Sequence, residues 1–300
     1  MEDTEEIIRG SDIIKYINCA SEKIKLAAVK KYGCSIEYIS CPSEEVKLAA
    51  VKQNGCAIQY INEPTKEVQL AAVKQYGWAI MYINEPSEEV KLAAIKQNGL
   101  AINYISCASE EMKLIAVKQN GNAIHHISDP TEEMKLAAVK DYGRSIRYIS
   151  NPSEEVQLAA INQDGCAIKY ISCASEEMKL LAVKQNGLSI KYISCASEEI
   201  KLAAIKQNVD SIEYISCASE EMKLAVVKKE GWAICYIDNP SKEVQLASLW
   251  DSTAREYVKY GLELPTIHYK WIHDDITTSE KYLKKNLKNR TKKYLDINFF

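Results

Sequence analysis

Residues 42–63 read PSEEVKLAAVKQNGCAIQYINE, and the chain is built by repeating this stretch. The hydroxyl residue after Pro42 returns every 22 residues, at Ser21, Ser43, Thr65, Ser87, Ser109, Thr131, Ser153, Ser175, Ser197, Ser219 and Ser241. Registers this regular, without insertion or deletion, specify a stacked array.

Within one unit, Ser43 is a good N-cap, Glu44 and Glu45 complement the positive end of a helix dipole, and Pro42 ends what precedes. Val46, Leu48, Ala49, Ala50 and Val51 spread around most of the helical wheel, so the helix is expected to be sandwiched between its counterparts in neighbouring units. Gly55 is expected to end it in the left-handed C′ conformation. The same column holds Gly33, Gly77, Gly99, Gly121, Gly143, Gly165, Gly187 and Gly231, with Val209 as the exception. A β-branched residue tolerates positive φ poorly, so the helix end at Asn208 is expected to differ from its neighbours, either with Asn208 itself left-handed or with a bend in the stack there. A short second helix follows, from Ala57 to about Asn62. Its wheel turns Ala57, Ile58 and Ile61 inward and Cys56, Gln59 and Tyr60 outward.

One such unit cannot bury its own apolar face, so stacking must supply the core. The expected fold is all-α: an α-solenoid of about eleven stacked helix-turn-helix repeats with a helical C-terminal cap. Residues 1–19 read as an N-terminal capping half-repeat, 20–250 as the array, and 251–300 as the cap. Helices are expected at 266–275 and 278–295, and residues 277–300 carry seven basic and two acidic side chains.

Composition excludes several classes. The chain is 47% hydrophobic and 26% charged, with net charge −3. The first ten residues, MEDTEEIIRG, are acidic and lack an apolar segment, so no secretory signal is expected. No apolar run approaches the ~20 residues of a membrane span. Ten cysteines follow the repeat columns without a Cys-x2-Cys pair, which argues for reduced thiols in a cytoplasmic protein and against zinc. His125 and His126 are adjacent and would point apart on a helix. His268, His273, Asp274 and Asp275 match no metal-site spacing. No phosphate-cradling loop or nucleophile elbow is present. The reading is of a non-enzymatic protein without a cofactor.

Variation concentrates in two columns of the second helix. The column after the glycine runs through Trp78, Leu100, Asn122, Arg144, Cys166 and Leu188, and the column before the tyrosine through Met81, Asn103, His125, Arg147, Lys169 and Lys191. A solenoid that holds its core constant and varies one face commonly uses that face for recognition. Trp78, Met81 and Leu100 with Tyr82 and Tyr104 predict an apolar patch. Arg144, Arg147, Lys169 and Lys191, with Tyr148 and His125 beside them, predict a basic stretch, followed by acidic Asp210 and Glu213.

The frame Val-x-Leu-Ala-Ala-Val-Lys-Gln-Asn-Gly-x-Ala-Ile-x-Tyr-Ile at Val46–Ile61 resembles repeats of bacterial and giant-virus proteins known as a domain of unknown function. The family's units are longer between helices, so this chain resembles a compact relative. The resemblance implies a helical array, no reaction, and a kinship with host-interaction proteins. The expected function is a scaffold binding a protein partner along the second-helix face, for example a phage- or virus-encoded inhibitor of a host defence protein. The alternatives are a nucleic-acid binder using the basic stretch and C-terminal helix, and a sponge for an anionic small molecule.

Overall fold

The computed structural model describes residues 17–248, and among them the chain is an α-solenoid without strands. The expected half-repeat before Ile17, the C-terminal helices and the His268–Asp275 group lie outside the described residues. The chain divides after Ile171 into two compact units. In the first, seven α-helices of ten residues, from Glu22–Lys31 to Glu154–Gln163, alternate with six-residue 3-10 segments, from Gly33–Tyr38 to Gly165–Tyr170. The second has α-helices Glu176–Gln185, Glu198–Gln207, Glu220–Lys229 and Lys242–Ser248, separated by 3-10 segments Gly187–Tyr192, Val209–Tyr214 and Gly231–Tyr236.

Most cap residues act as the sequence predicts, Ser21 and Ser87 making no side-chain cap bond, and some also reach across repeats. Ser43 Oγ accepts the Val46 N–H at 3.3 Å, and Thr65 Oγ1 accepts that of Val68 at 3.4 Å. The Thr65 hydroxyl then donates to Glu44 Oε2 of the preceding repeat at 3.0 Å, as Ser153 does to Glu132. Lys47 first and Thr65 second hold the Glu44 carboxyl below its ordinary titration range. The helix starts at Ser43, Thr65 and Ser153 are thereby tied to the repeat before them.

The core follows the expected inward positions. Val46, Ala50, Val51, Ala57, Ile58 and Ile61 are buried, while Leu48 and Ala49 pack half-buried at the flanks. Burying a Val or Ile side chain is worth about 1.5–3 kcal/mol. Repeated in every unit, this is what the isolated 22-residue unit lacks.

The second helix is tighter and starts earlier than expected. Gly55–Tyr60 is a 3-10 segment: the Ala57 N–H donates to Asn54 O at 2.9 Å and the Ile61 N–H to Ile58 O at 3.0 Å. Runs beyond three or four residues are uncommon for this geometry, so these six-residue segments are long for their type. The Asn54 side chain starts the segment by accepting the Cys56 N–H at 3.0 Å.

The glycine column has a different cause from the one predicted. The α-helix ends in an extended residue, Asn54 at φ −145° and ψ 109°, and Gly55 opens the 3-10 segment. What the site demands is closeness. A Cβ on Gly55 would stand 2.6 Å from the backbone oxygen of Ala72 and 2.8 Å from Gln75 Oε1 in the next repeat. The Gly55 N–H donates to that same Gln75 Oε1 at 2.7 Å. Positive φ falls instead in the turn before the next cap, at residues such as Glu63 (47°), Glu85 (49°) and Asn151 (49°).

Val209 therefore perturbs packing, and the helix end is spared. Asn208 stays extended at φ −142° and ψ 122°, so the expected departure there does not occur. Helix Glu198–Gln207 instead makes much sparser contact with Glu220–Lys229 than with Glu176–Gln185. Leu202 is 49% exposed, whereas Leu48, Leu70 and Leu92 are half-buried. In the glutamine column this joint has Lys229, whose ammonium cannot accept a hydrogen bond and donates to Lys206 O at 3.2 Å. Ser211 Oγ is buried there without a hydrogen-bond partner. Alanine is the residue at this column in most repeats, so Ser211→Ala is expected to raise stability by about 1 kcal/mol. An unchanged or lower urea midpoint would show that the hydroxyl is satisfied.

Candidate functional site

The 3-10 geometry brings the two variable columns together. At three residues per turn, positions i and i+3 eclipse. Trp78 thus aligns with Met81, Leu100 with Asn103, and Arg144 with Arg147. Most 3-10 segments present a ridge with a half-buried foot, such as Trp78, and an exposed tip, such as Met81 at 47% exposure. The tyrosine that follows is exposed in most repeats, at Tyr38, Tyr60, Tyr82 and Tyr104 among others.

In the first unit the predicted apolar residues lie on adjacent, mutually packed 3-10 segments, Gly77–Tyr82 and Gly99–Tyr104. Trp78 meets Tyr104 edge-to-face, with centroids 5.5 Å apart and planes at 69°. Asn98 Oδ1 accepts the Leu100 N–H at 3.0 Å and fixes the second ridge.

The predicted basic stretch is rearranged. Arg144 Nε donates to Asp164 Oδ2 at 2.6 Å, which raises the guanidinium's already high pKa. The other oxygen of Asp164 accepts the Cys166 N–H at 2.8 Å. Arg144 is thus a strut to the next repeat, and its charge is already matched. Arg147 is exposed and lies 4.4 Å over the Tyr148 ring. The His125 ring stands 4.4 Å from Tyr148 and 5.0 Å from His126. Burial, then the neighbouring His125, holds His126 below its ordinary pKa. Lys169 lies 5.8 Å over Tyr170.

Lys191 belongs to the second unit, where it lies 4.9 Å over Tyr192 and 5.9 Å over Tyr214. Burial raises the Cys235 thiol and Tyr236 phenol pKa values, and the predicted acidic pair, Asp210 and Glu213, raises them further. The field of those carboxylates therefore reaches the next repeat. Among the described residues no group of three or more His, Cys, Asp or Glu is placed to hold a metal, and no helix is long and apolar enough to cross a membrane.

The sequence reading missed the residues that join one repeat to the next. Gln53, Gln75, Gln97, Gln119, Gln163 and Gln207 each accept the glycine N–H of the preceding repeat, and Asp141 substitutes for glutamine at Gly121. The signal was there as a pair of exceptions: Val209 and Lys229 both break their columns at one joint.

The family model described as "Domain of unknown function (DUF4116)" matches residues 21–65, 43–87, 65–113, 87–135, 153–194 and 175–223, together more than half of the chain. The chain belongs to the DUF4116 family. Each match spans about two of the 22-residue units, so one DUF4116 domain corresponds to a pair of repeats. That pairing accounts for the family's units being expected to be longer. No curated protein and no solved structure matches the chain.

Proposed function

We propose that this DUF4116 array is a non-enzymatic scaffold that binds a protein partner along its 3-10 face. The observation that carries the reading is the Trp78–Tyr104 pair, with Met81 and Tyr82 exposed beside it on a frame whose core hardly varies. Interface hot spots are enriched in Trp, Tyr and Arg. None of the ten cysteines is in a disulfide and six are exposed, which supports a reducing compartment such as the cytoplasm. The family resemblance supports one concrete form, a viral or phage inhibitor of a host defence protein.

In binding to a partner isolated from the source cell, Trp78→Ala and Arg147→Ala are each expected to cost about 2 kcal/mol. Lys52→Ala, on the exposed strip of the α-helix Glu44–Gln53, is expected to change nothing. If circular dichroism shows intact helix and all three variants bind like the parent, the 3-10 face is not the recognition surface.

A second reading, nucleic-acid binding, draws on the cation–tyrosine pairs at Arg147, Lys169 and Lys191. It expects affinity to fall by orders of magnitude between about 50 and 200 mM salt.

A further inference from the structure

We infer that the first unit's 3-10 face accepts an extended acidic peptide segment, with a bulky apolar residue at Trp78–Tyr104 and carboxylates at Arg147 and Lys169. The inference rests on the protein-binding reading above and adds the partner's chemistry and register.

Charge sets the polarity. From Gln59 to Lys169 the exposed column before the tyrosine reads Gln59, Met81, Asn103, His125, Arg147 and Lys169, without a carboxylate. Past Glu37, the face is therefore uncharged at one end and cationic at the other. Arg144 is matched by Asp164, which leaves Arg147 as the arginine on this stretch without an ion pair among the described residues. Both cations lie over tyrosine rings, at 4.4 Å for Arg147 and 5.8 Å for Lys169. Such a stack limits the side chain's wandering before a ligand arrives. A carboxylate meeting Arg147 would gain a charge-assisted hydrogen bond, roughly twice as strong as a neutral one.

Spacing sets the conformation. Packed helices lie about 8–10 Å apart, and one three-residue turn of polyproline II chain spans about 9 Å and returns its side chains to the same side. A peptide running along the array would thus offer every third side chain to successive ridges. Three repeats separate Trp78 from Arg144 and Arg147, so anchor and carboxylate should be about nine residues apart. Nucleic acid fits this face less well. Its phosphates recur along the whole strand and dominate affinity, whereas the Trp78 and Leu100 ridges bear no cation.

The test uses the full chain and fluorescent peptides of about 14 residues. The first carries Trp near one end and two Glu about nine residues later. A second has Lys for Glu, a third shortens the spacing to about four residues, and a dT oligonucleotide of similar length is the fourth probe. Anisotropy at moderate salt is expected to rank the first peptide tightest, with the Lys and short-spacing peptides at least about tenfold weaker. Trp78→Ala and Arg147→Ala should each weaken the first peptide by at least about fivefold, and Arg147→Ala should also erase its preference over the Lys peptide. Equal binding of Glu and Lys peptides, while Trp78→Ala still weakens both, keeps the face and overturns the acidic partner. Peptide binding untouched by either variant overturns the face itself. No detectable peptide binding, or tighter binding of the oligonucleotide, overturns the acidic peptide in this register.

Discussion

Gly55→Ala is expected to lower stability by about 3 kcal/mol, an overpacking cost at the upper end of the usual range. The added methyl carbon would stand 2.6 Å from Ala72 O and 2.8 Å from both Gln75 Oε1 and Tyr76 Cβ. A glutamine side chain can swing away. A backbone oxygen on a ten-residue helix cannot, so the next repeat must be pushed off as a body. The Gly55–Gln75 hydrogen bond of 2.7 Å is stretched or lost in the process. The two explanations of the glycine column then separate cleanly. If the site needed a left-handed residue, Gly55→Asn would be far milder than Gly55→Ala, since asparagine visits that region readily. If it needs closeness, Asn is no better than Ala. Urea denaturation of both variants decides between them, and a mild Gly55→Asn would overturn the packing account.

The second large effect concerns register. Removing residues 87–108 joins Pro86 to Ser109 and is expected to leave a folded, shorter array. Gly77, which now donates to Gln97 at 2.7 Å, would find Gln119 in the same place, and Ala116 would replace Ala94 behind it. Nearest-neighbour stacking predicts the loss of one repeat and one joint, with little change elsewhere. Removing residues 98–108 alone joins Gln97 to Ser109 and deletes the 3-10 segment between two α-helices. That half-register variant is expected to lose cooperative unfolding, because Ala101, Ile102 and Ile105 leave the core with no replacement. Helix content per residue by circular dichroism, with a thermal melt, reports both. An unfolded full-register deletion alongside a folded half-register one would refute the modular account.

These expectations show which parts of the structure could be read from the chain. The caps and inward positions were legible because each depends on residues a few positions apart: Ser43 on Val46, Ile58 on Ile61. The 3-10 winding was harder, since six residues hardly separate a 3.0 from a 3.6 period, and Ala57, Ile58 and Ile61 point inward in either. The joints between repeats were not legible within one unit. Gly33 and Gln53 stand twenty residues apart, and their bond at 2.7 Å crosses a boundary that a 22-residue reading frame cuts through. The pairing of Arg144 was hidden for the same reason, because Asp164 also stands twenty residues on. The aromatic grouping of Trp78 and Tyr104 was read correctly, because equivalent columns in consecutive repeats are neighbours by construction.

The direction of those joints also bears on how the chain is made. A glycine N–H in one repeat finds its acceptor twenty residues later, so it has only water as a partner until the following helix has left the ribosome. The Thr65 hydroxyl reaches the other way, to a Glu44 carboxylate synthesised earlier. An incoming helix therefore meets a waiting acid at its start and a waiting amide near its end. Synthesis proceeds at about 5–20 residues per second, so each 22-residue unit waits on the order of one to four seconds for the next. Throughout that interval the newest repeat exposes an apolar flank to solvent. Such growth favours adding to the existing stack over pairing with another chain, because the growing end presents both halves of the contact in register.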